Sequence, residues 1–532
     1  MKQKRIIPEK KVNSSIELSK CDLTLFVILM IITIFLAPNN IFAQTGLYTL
    51  NGGTDTQTNQ TYAATGTDQS AVYVLNSGHL TLNTCTLTKT GDASSVNNSS
   101  QYGTNAGVLV TTAGNVTING GTITTNASGG NGLFATGTGS SITMSNGTIS
   151  ASGGSAHGVD VTYGGIITLT NVDVTTNGSN SSALATDFGG GTVSVTGGTI
   201  IASATASGSH SAGIYSTGSI TVTNANVTSS GDCGGVIDGA NSIALVNTSL
   251  TGLVEGIKVW KTAPMTGSAS ISINGGSLNV TGGDAFYITG ETGNAASAVI
   301  TLSNGASISA STGKIINVLS SSTASLTADG ETLSGILYAD ATSTLNVTLK
   351  NSTTLQGKAQ KTGITMDASS SWTLTGNSIL TTFIDPSGVS GTTITNVTGN
   401  GYSIHYDSSL TANQYLGGKV YSLVNGGVLT PATITGVQSE GSITPVEWQL
   451  YQNYPNPFNP STNIKFSVAK AGAVKLKVFD VTGREVKTLI DEVKNPGSYE
   501  VNFNAGNLTS GVYFYRLVSE GTVLTKKMVL IK

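Results

Sequence analysis

A short apolar cluster recurs along the middle of this chain, and its spacing restricts the fold more than any other feature. Gly107-Val108-Leu109-Val110 has counterparts at Gly132-Leu133, Gly158-Val159, Ala183-Leu184, Gly213-Ile214, Gly235-Val236, Gly256-Ile257 and Ala285-Phe286. The step averages about 25 residues, within the range of solenoids. A second element keeps step with it, at Val116/Ile118, Ile142/Met144, Ile167/Leu169, Val193/Val195, Ile220/Val222, Ile243/Leu245, Ile271/Ile273 and Ile300/Leu302. A third follows a short turn, at Ile123, Ile149, Val174, Ile200, Val227, Leu250, Leu278 and Ile308. Three short strands per repeat make one coil, and the spacing predicts an all-β chain built as a right-handed parallel β-helix. Aliphatics alternate with Thr or Ser in each strand, so one face turns inward and the other meets water. One coil cannot bury its aliphatics alone. Stacked coils align them in columns, where each buried Val, Ile or Leu contributes roughly 1.5–3 kcal/mol.

The turn after the second strand carries Asn119, Asn146, Asn171, Asn224, Asn247, Asn274 and Asn304, with Gly197 as the exception. Stacked side chains at one position predict an asparagine ladder, so these residues and the sequons among them read as structural. After about Lys314 the repeat loosens while alternation continues, and Gly401–Pro431 reads as a closing coil or cap over an otherwise open sheet edge. Charged residues make up 10 % of the chain, against about 25 % in ordinary soluble proteins. The formal net charge is −3, which leaves no basic footprint, and nucleic acid is not expected as a partner. Cys21, Cys85 and Cys233 have no metal-ligand spacing; the last two read as free buried thiols.

The N-terminus reads as an address. Lys2, Lys4, Arg5, Lys10, Lys11 and Lys20 precede the apolar run Leu23–Ala37, then Pro38 and Ile41-Phe42-Ala43. This pattern predicts a signal peptide over 1–43 cleaved after Ala43, with signal peptidase and the general secretion machinery as partners. The β-helix is expected over 44–435 and a linker over 436–448.

The composition then changes. Arg, Lys and aromatics rise, and Leu450-Tyr451-Gln452-Asn453-Tyr454-Pro455-Asn456-Pro457-Phe458-Asn459-Pro460 opens a segment of short alternating strands punctuated by Gly, Pro and Asn. Such punctuation predicts a small β-sandwich over 449–532. The opening motif, the turn Val481–Val486 with Gly483, the Gly511-Val512-Tyr513 start of a strand and the final Thr525–Leu530 with Lys527 closely resemble the type A C-terminal sorting domain of the type IX secretion system. The resemblance spans Leu450–Lys532 and marks Tyr454, Pro455, Asn456, Pro457, Phe458, Gly483, Gly511, Tyr513 and Lys527 as signal residues. It implies export through the periplasm of a Gram-negative bacterium to the cell surface or medium. Its implied partners are the type IX outer-membrane machinery and a sorting protease. The repeats resemble the passengers of autotransporter adhesins and, equally, pectate-lyase-like enzymes, which bears on fold and not on activity.

With Val159 and Val161 inward, the first strand places Phe134, Asp160, Tyr215, Lys258 and Tyr287 on an outward stripe, and Asp187 and Trp260 beside it. Aromatic rings on a flat β-face can stack on sugars, so Phe134, Tyr215, Lys258, Trp260 and Tyr287 are the candidate ligand residues for a glycan or host surface. Glycosidic hydrolysis needs two facing carboxyls about 5–9.5 Å apart, and Asp160 with Asp187 are the candidate pair. There is no Arg between Thr45 and Glu440 to serve as the base of a pectate-lyase-like site. His79, His157, His210 and His405 lack a repeated spacing and read as loop or surface histidines; no metal and no cofactor are expected. The first functional reading is a non-enzymatic surface protein, adhesin-like or structural. The alternative is a polysaccharide lyase or glycoside hydrolase on the same fold.

Overall fold

In the computed structural model, residues 44–204, 210–261, 266–290, 294–432 and 448–531 are described, apart from 451, 454, 469, 496 and 520. The expected signal peptide, nearly all of the linker and the motif residue Tyr454 lie outside them. Residues 45–432 form a parallel β-solenoid of about 14 turns. The chain divides into two compact units, one holding residues 1–220 and 228–232, the other 221–227 and 233–532.

In the first unit each coil contributes three short strands, and every strand pairs in parallel with its counterpart one coil away. Leu80, Val116, Ile142, Ile167 and Val193 fall in one register column, and Leu87, Ile123, Ile149, Val174 and Ile200 in another. Val72, Val108, Leu133, Val159, Leu184 and Ile214 make the first-strand column. All these side chains are buried. The glycine ahead of the first strand has a steric cause. A Cβ on Gly132 would come 2.3 Å from the Gly158 carbonyl oxygen, and one on Gly158 2.6 Å from that of Ala183. The close stacking leaves little room for a side chain there.

The outermost described coil of this unit carries polar groups in the inward columns. Tyr48, Asp55, Gln57 and Tyr62 register with Val72, Leu80, Leu82 and Leu87. Tyr48 donates to Asp55, Gln57 donates to Asp55 at 2.6 Å, and Tyr62 donates to Gln57 at 3.0 Å. A hydrogen-bonded plug thus takes the place of aliphatics at this end of the described stack.

The asparagine turns work in two ways. Asn119 donates to Asn83 at 2.9 Å and Asn304 to Asn274 at 2.6 Å, as ladder rungs. Asn146, Asn171, Asn224, Asn247 and Asn304 also adopt left-handed backbone, with φ between 47° and 60°, a region Asn tolerates better than most residues.

The second unit continues the pattern with longer strands. Ile300, Leu326, Val347, Ile364 and Phe383 stack in one column. Here the loosened repeat is a shorter coil: Thr323 pairs with Thr344, and Leu345 already with Thr362. At the end of the solenoid, the 3-10 turn Thr411–Leu416 and strands Tyr421–Val424 and Val428–Ala432 close the last coil, the two strands pairing antiparallel. Cys85 and Cys233 are buried free thiols. Among the described residues no helix is long and apolar enough to cross a membrane.

The C-terminal strands form two antiparallel sheets, of three and four strands. Ile464, Phe466 and Phe503 from one, with Leu476, Val478, Tyr515 and Met528 from the other, share one apolar core, which is the arrangement of a sandwich.

Candidate functional site

The outward stripe expected in the first unit exists in register but is covered. Phe134 pairs with Leu109 and Asp160, Asp160 with Ala185, and Ala185 with Tyr215. Yet Leu109, Phe134, Asp160 and Ala185 are all 0 % exposed. The cover is a short helix, α1 (Val96–Tyr102), in a long coil. Ladder partners Asn83 and Asn119 are 36 residues apart, against 26 for the contact between Asn131 and His157. The Ser95 side chain caps α1 by accepting from Asn98 N–H, and Gly103 ends it in left-handed backbone at φ 69°. Phe134 packs with Tyr73, Ala106 and Leu109. Thr162 donates to the Gln101 carbonyl at 3.1 Å, and Tyr102 stacks on Tyr163 at 6.3 Å. Phe134 is therefore a core residue and not a ligand-stacking ring. The extra length of this coil was the available signal; the composition of Val96–Tyr102 gives no helix pattern.

Beside α1 the structure gathers three groups. One ligand-capable atom each from His157, Asp160 and Asp187 lie within 4.8 Å of one another. His157 lies in the loop ahead of the strand Val159–Thr162, as one half of its loop-or-surface reading expected, but it is buried, 8 % exposed. Its Nδ1 accepts the Ser182 backbone N–H at 3.0 Å, and Nε2 stands 3.7 Å from Asp187 Oδ2. Burial lowers the imidazole to about 4, so the ring is neutral at pH 7. With the Nδ1 lone pair engaged, the single proton sits on Nε2, facing Asp187. This is a neutral His–Asp contact and not an ion pair. Spacing alone would admit a metal, but a ligating Nε2 would have to lose that proton while Nδ1 still accepts, so the residues present do not fit one. Among the described residues neither Asp160 oxygen has a well-formed hydrogen bond, the Val161 N–H acting on the carboxyl only weakly. Burial, then the charge of Asp187, raises its pKa well above the ordinary carboxyl value, which favours its protonated form. The pair expected to act on a glycosidic bond is thus close together, with Asp160 sealed from any polymer.

In the second unit the stripe is partly exposed, with Asn317 buried within it. Lys258 registers with Tyr287, Tyr287 with Asn317, and Asn317 with Tyr338. Lys258, Trp260, Tyr287 and Tyr338 are all half-buried. Lys258 Nζ lies 4.3 Å from the Trp260 ring centre and Lys314 Nζ 4.9 Å from that of Tyr338, so two ammonium groups are held against aromatic faces. Tyr215 is half-buried in the first unit. A polar network that the sequence reading missed lies at the start of these strands. Asp284 accepts from Thr312 Oγ1 and, at 2.6 Å, from Asn317 Nδ2, with Lys314 Nζ at 4.0 Å. Glu255 accepts the Asp284 backbone N–H. Burial, only partly offset by that bond, raises Glu255 to about 7. Its signal was the register itself: Glu255, Asp284 and Lys314 each stand at the start of the first strand in successive coils.

In the C-terminal module the proline-rich motif is pinned to the last strand. Asn456 Oδ1 accepts the Val529 N–H at 2.8 Å, and Phe458 exchanges backbone bonds with Val529 and Ile531. Prolines have no N–H to give, and the Pro455 carbonyl is taken by Asn453 Nδ2 at 3.1 Å and Thr462 Oγ1 at 2.8 Å. Pro457 brings Phe458 into the core, 2 % exposed. Gly483, at φ 82°, closes the Asp480–Arg484 turn. Tyr513, in the strand opened by Gly511, donates to the Thr509 carbonyl at 2.8 Å, and the Lys527 carbonyl accepts from Gln452 at 2.7 Å.

A parallel β-solenoid followed by an antiparallel module whose first and last residues interlock defines a repeat protein with a sandwich-like tail. Residues 452–532 match the secretion system C-terminal sorting domain, and that tail is such a domain. It implies an exported protein, secreted or at the cell surface, that engages the type IX machinery. No curated protein matches this chain.

Proposed function

We propose that this chain is a non-enzymatic, adhesin-like surface protein that presents its β-helix to glycans, with Lys258, Trp260 and Tyr287, joined by Lys314 and Tyr338, as the contact face. The observation that carries this reading is the partly exposed column in the second unit, in which aromatic rings or ammonium groups recur from coil to coil around a buried Asn317. Neighbouring parallel strands lie about 4.8 Å apart, so an extended polymer lying along the column meets a side chain at every coil. Signal peptidase cleavage after Ala43, passage through the periplasm and a sorting protease at the outer membrane complete the proposed route.

The test is a glycan array probed with the secreted chain and its Trp260→Ala and Tyr287→Ala variants. Binding is expected to a restricted set of glycans, weakened at least tenfold in each variant, as for the loss of an aromatic contact worth about 1.4 kcal/mol. Equal binding by the variants would remove the face from consideration.

The second reading, a polysaccharide lyase or hydrolase, is favoured by Glu255. At about 7 it holds a proton near neutrality, beside that same face. Turnover of any polymer in the same screen, lost in Glu255→Gln, would establish it in place of the first.

A further inference from the structure

In the first unit, the turn that ends the first strand holds one position in left-handed backbone through five successive coils. Asn76, Thr112, Gly137, Tyr163 and Phe188 occupy it, with φ of 52°, 47°, 84°, 51° and 33°. Asn and Gly suit this backbone, whereas a bulky aromatic residue is strained in it. Aromatics nevertheless stand there in two adjacent coils, and burial does not compensate them: Tyr163 and Phe188 are 41 % and 43 % exposed. Strain kept at exposed side chains is a mark of ligand contacts.

The rings are held in place. The Tyr163 N–H donates to the Phe188 carbonyl at 3.2 Å, so the two residues adjoin across one coil step. The Gln101 side chain donates to the Tyr163 hydroxyl, and α1 lays Tyr102 nearly parallel to Tyr163, with 18° between the ring planes. Gly189 has no side chain to set against Tyr163, where a Cβ would come 3.3 Å from the ring. Asp187, in register with Thr162 and one residue ahead of Phe188, adds a carboxylate that is 18 % exposed. The charge of the surroundings selects among ligands. Between Gln44 and Ile257 the one Lys or Arg is Lys89, and it is buried, so no exposed lysine or arginine among the described residues of this unit can meet an anion. Aromatic faces with a hydrogen-bond acceptor beside them match the C–H faces and hydroxyls of an uncharged pyranose. We propose that Tyr102, Tyr163 and Phe188, with Asp187, bind a neutral polysaccharide, at a site that differs in residues and in charge from the Lys258–Tyr338 face.

The experiment uses the full secreted chain carrying Trp260→Ala and Tyr287→Ala, so that the second-unit face does not supply the binding. Its mobility is followed in native gels cast with hydroxyethyl cellulose, xylan or galactomannan, and with alginate as the anionic control. Retardation by at least one neutral polymer is expected, and none by alginate. Tyr163→Asn and Phe188→Asn should each weaken binding about tenfold, as for the loss of an aromatic contact. Their melting temperatures should stay level or rise, because Asn tolerates the left-handed turn. Phe188→Tyr, which keeps a ring at the same place, should retain the retardation that Phe188→Asn loses. No retardation by any neutral polymer, equal retardation in both Asn variants, or a preference for alginate that those variants abolish would overturn the proposal.

Discussion

Asp160 shows how one residue can look functional by position and be structural by environment. Its place in the strand is outward, as alternation predicts, but α1 converts outward into buried. The physical consequence is measurable. A carboxyl whose pKa is higher in the folded than in the unfolded chain favours folding while it is protonated in both. As pH rises above the unfolded value, near 3.8, the unfolded chain ionises first and that advantage shrinks until the folded group ionises too. Asp160→Asn, which is neutral at every pH, should therefore be more stable than the natural chain at pH 7, with the gap narrowing toward pH 4. Thermal melts of both proteins across that range check the sign. A constant gap would mean that Asp160 is already ionised in the folded state. The neutral imidazole of His157 reinforces the reading, because it brings an N–H toward Asp187 and no charge.

At the scale of elements, α1 is the feature that most alters the solenoid's surface. It is seven residues long, too short to stand alone in water, and is held by Phe134, by the Ser95 and Gly103 caps and by hydrogen bonds such as that from Thr162. Phe134→Ala should cost about 3–5 kcal/mol, and Ser95→Ala about 1 kcal/mol. Hydrogen exchange should show both losses first in residues 95–105, while the second-strand columns stay protected. The periodic elements were legible because each strand repeats its aliphatics at fixed offsets: Val116, Ile142 and Ile167 announce their column in the bare sequence. The covered stripe was not legible. Alternation tells which way a side chain points and says nothing of what a non-repeating segment lays over it. Glu255, Asp284 and Lys314 escaped notice for a related reason, since their position at the start of the first strand carries no periodic residue type.

The whole molecule joins two parts with different physics. The solenoid is stabilised by similar contacts repeated between neighbouring coils, and it tolerates low charge because its backbone groups pair along the stack. The tail is stabilised by contacts between its two ends: Asn453, Asn456 and Phe458 are fastened to Tyr515, Val529 and Ile531. Its motif was readable from sequence because it is a local string of prolines and asparagines; its docking on the last strand was not, because the partners are 73 residues apart. What unites the two parts is delivery, in which the tail carries the solenoid to the cell exterior. Protease accessibility on intact cells probes this without intermediaries, by comparing the full chain with a chain lacking residues 452–532. Solenoid peptides should be released from cells making the full chain, while the shortened protein stays intact inside the envelope. Equal release from both would mean that the tail is not what brings the solenoid out.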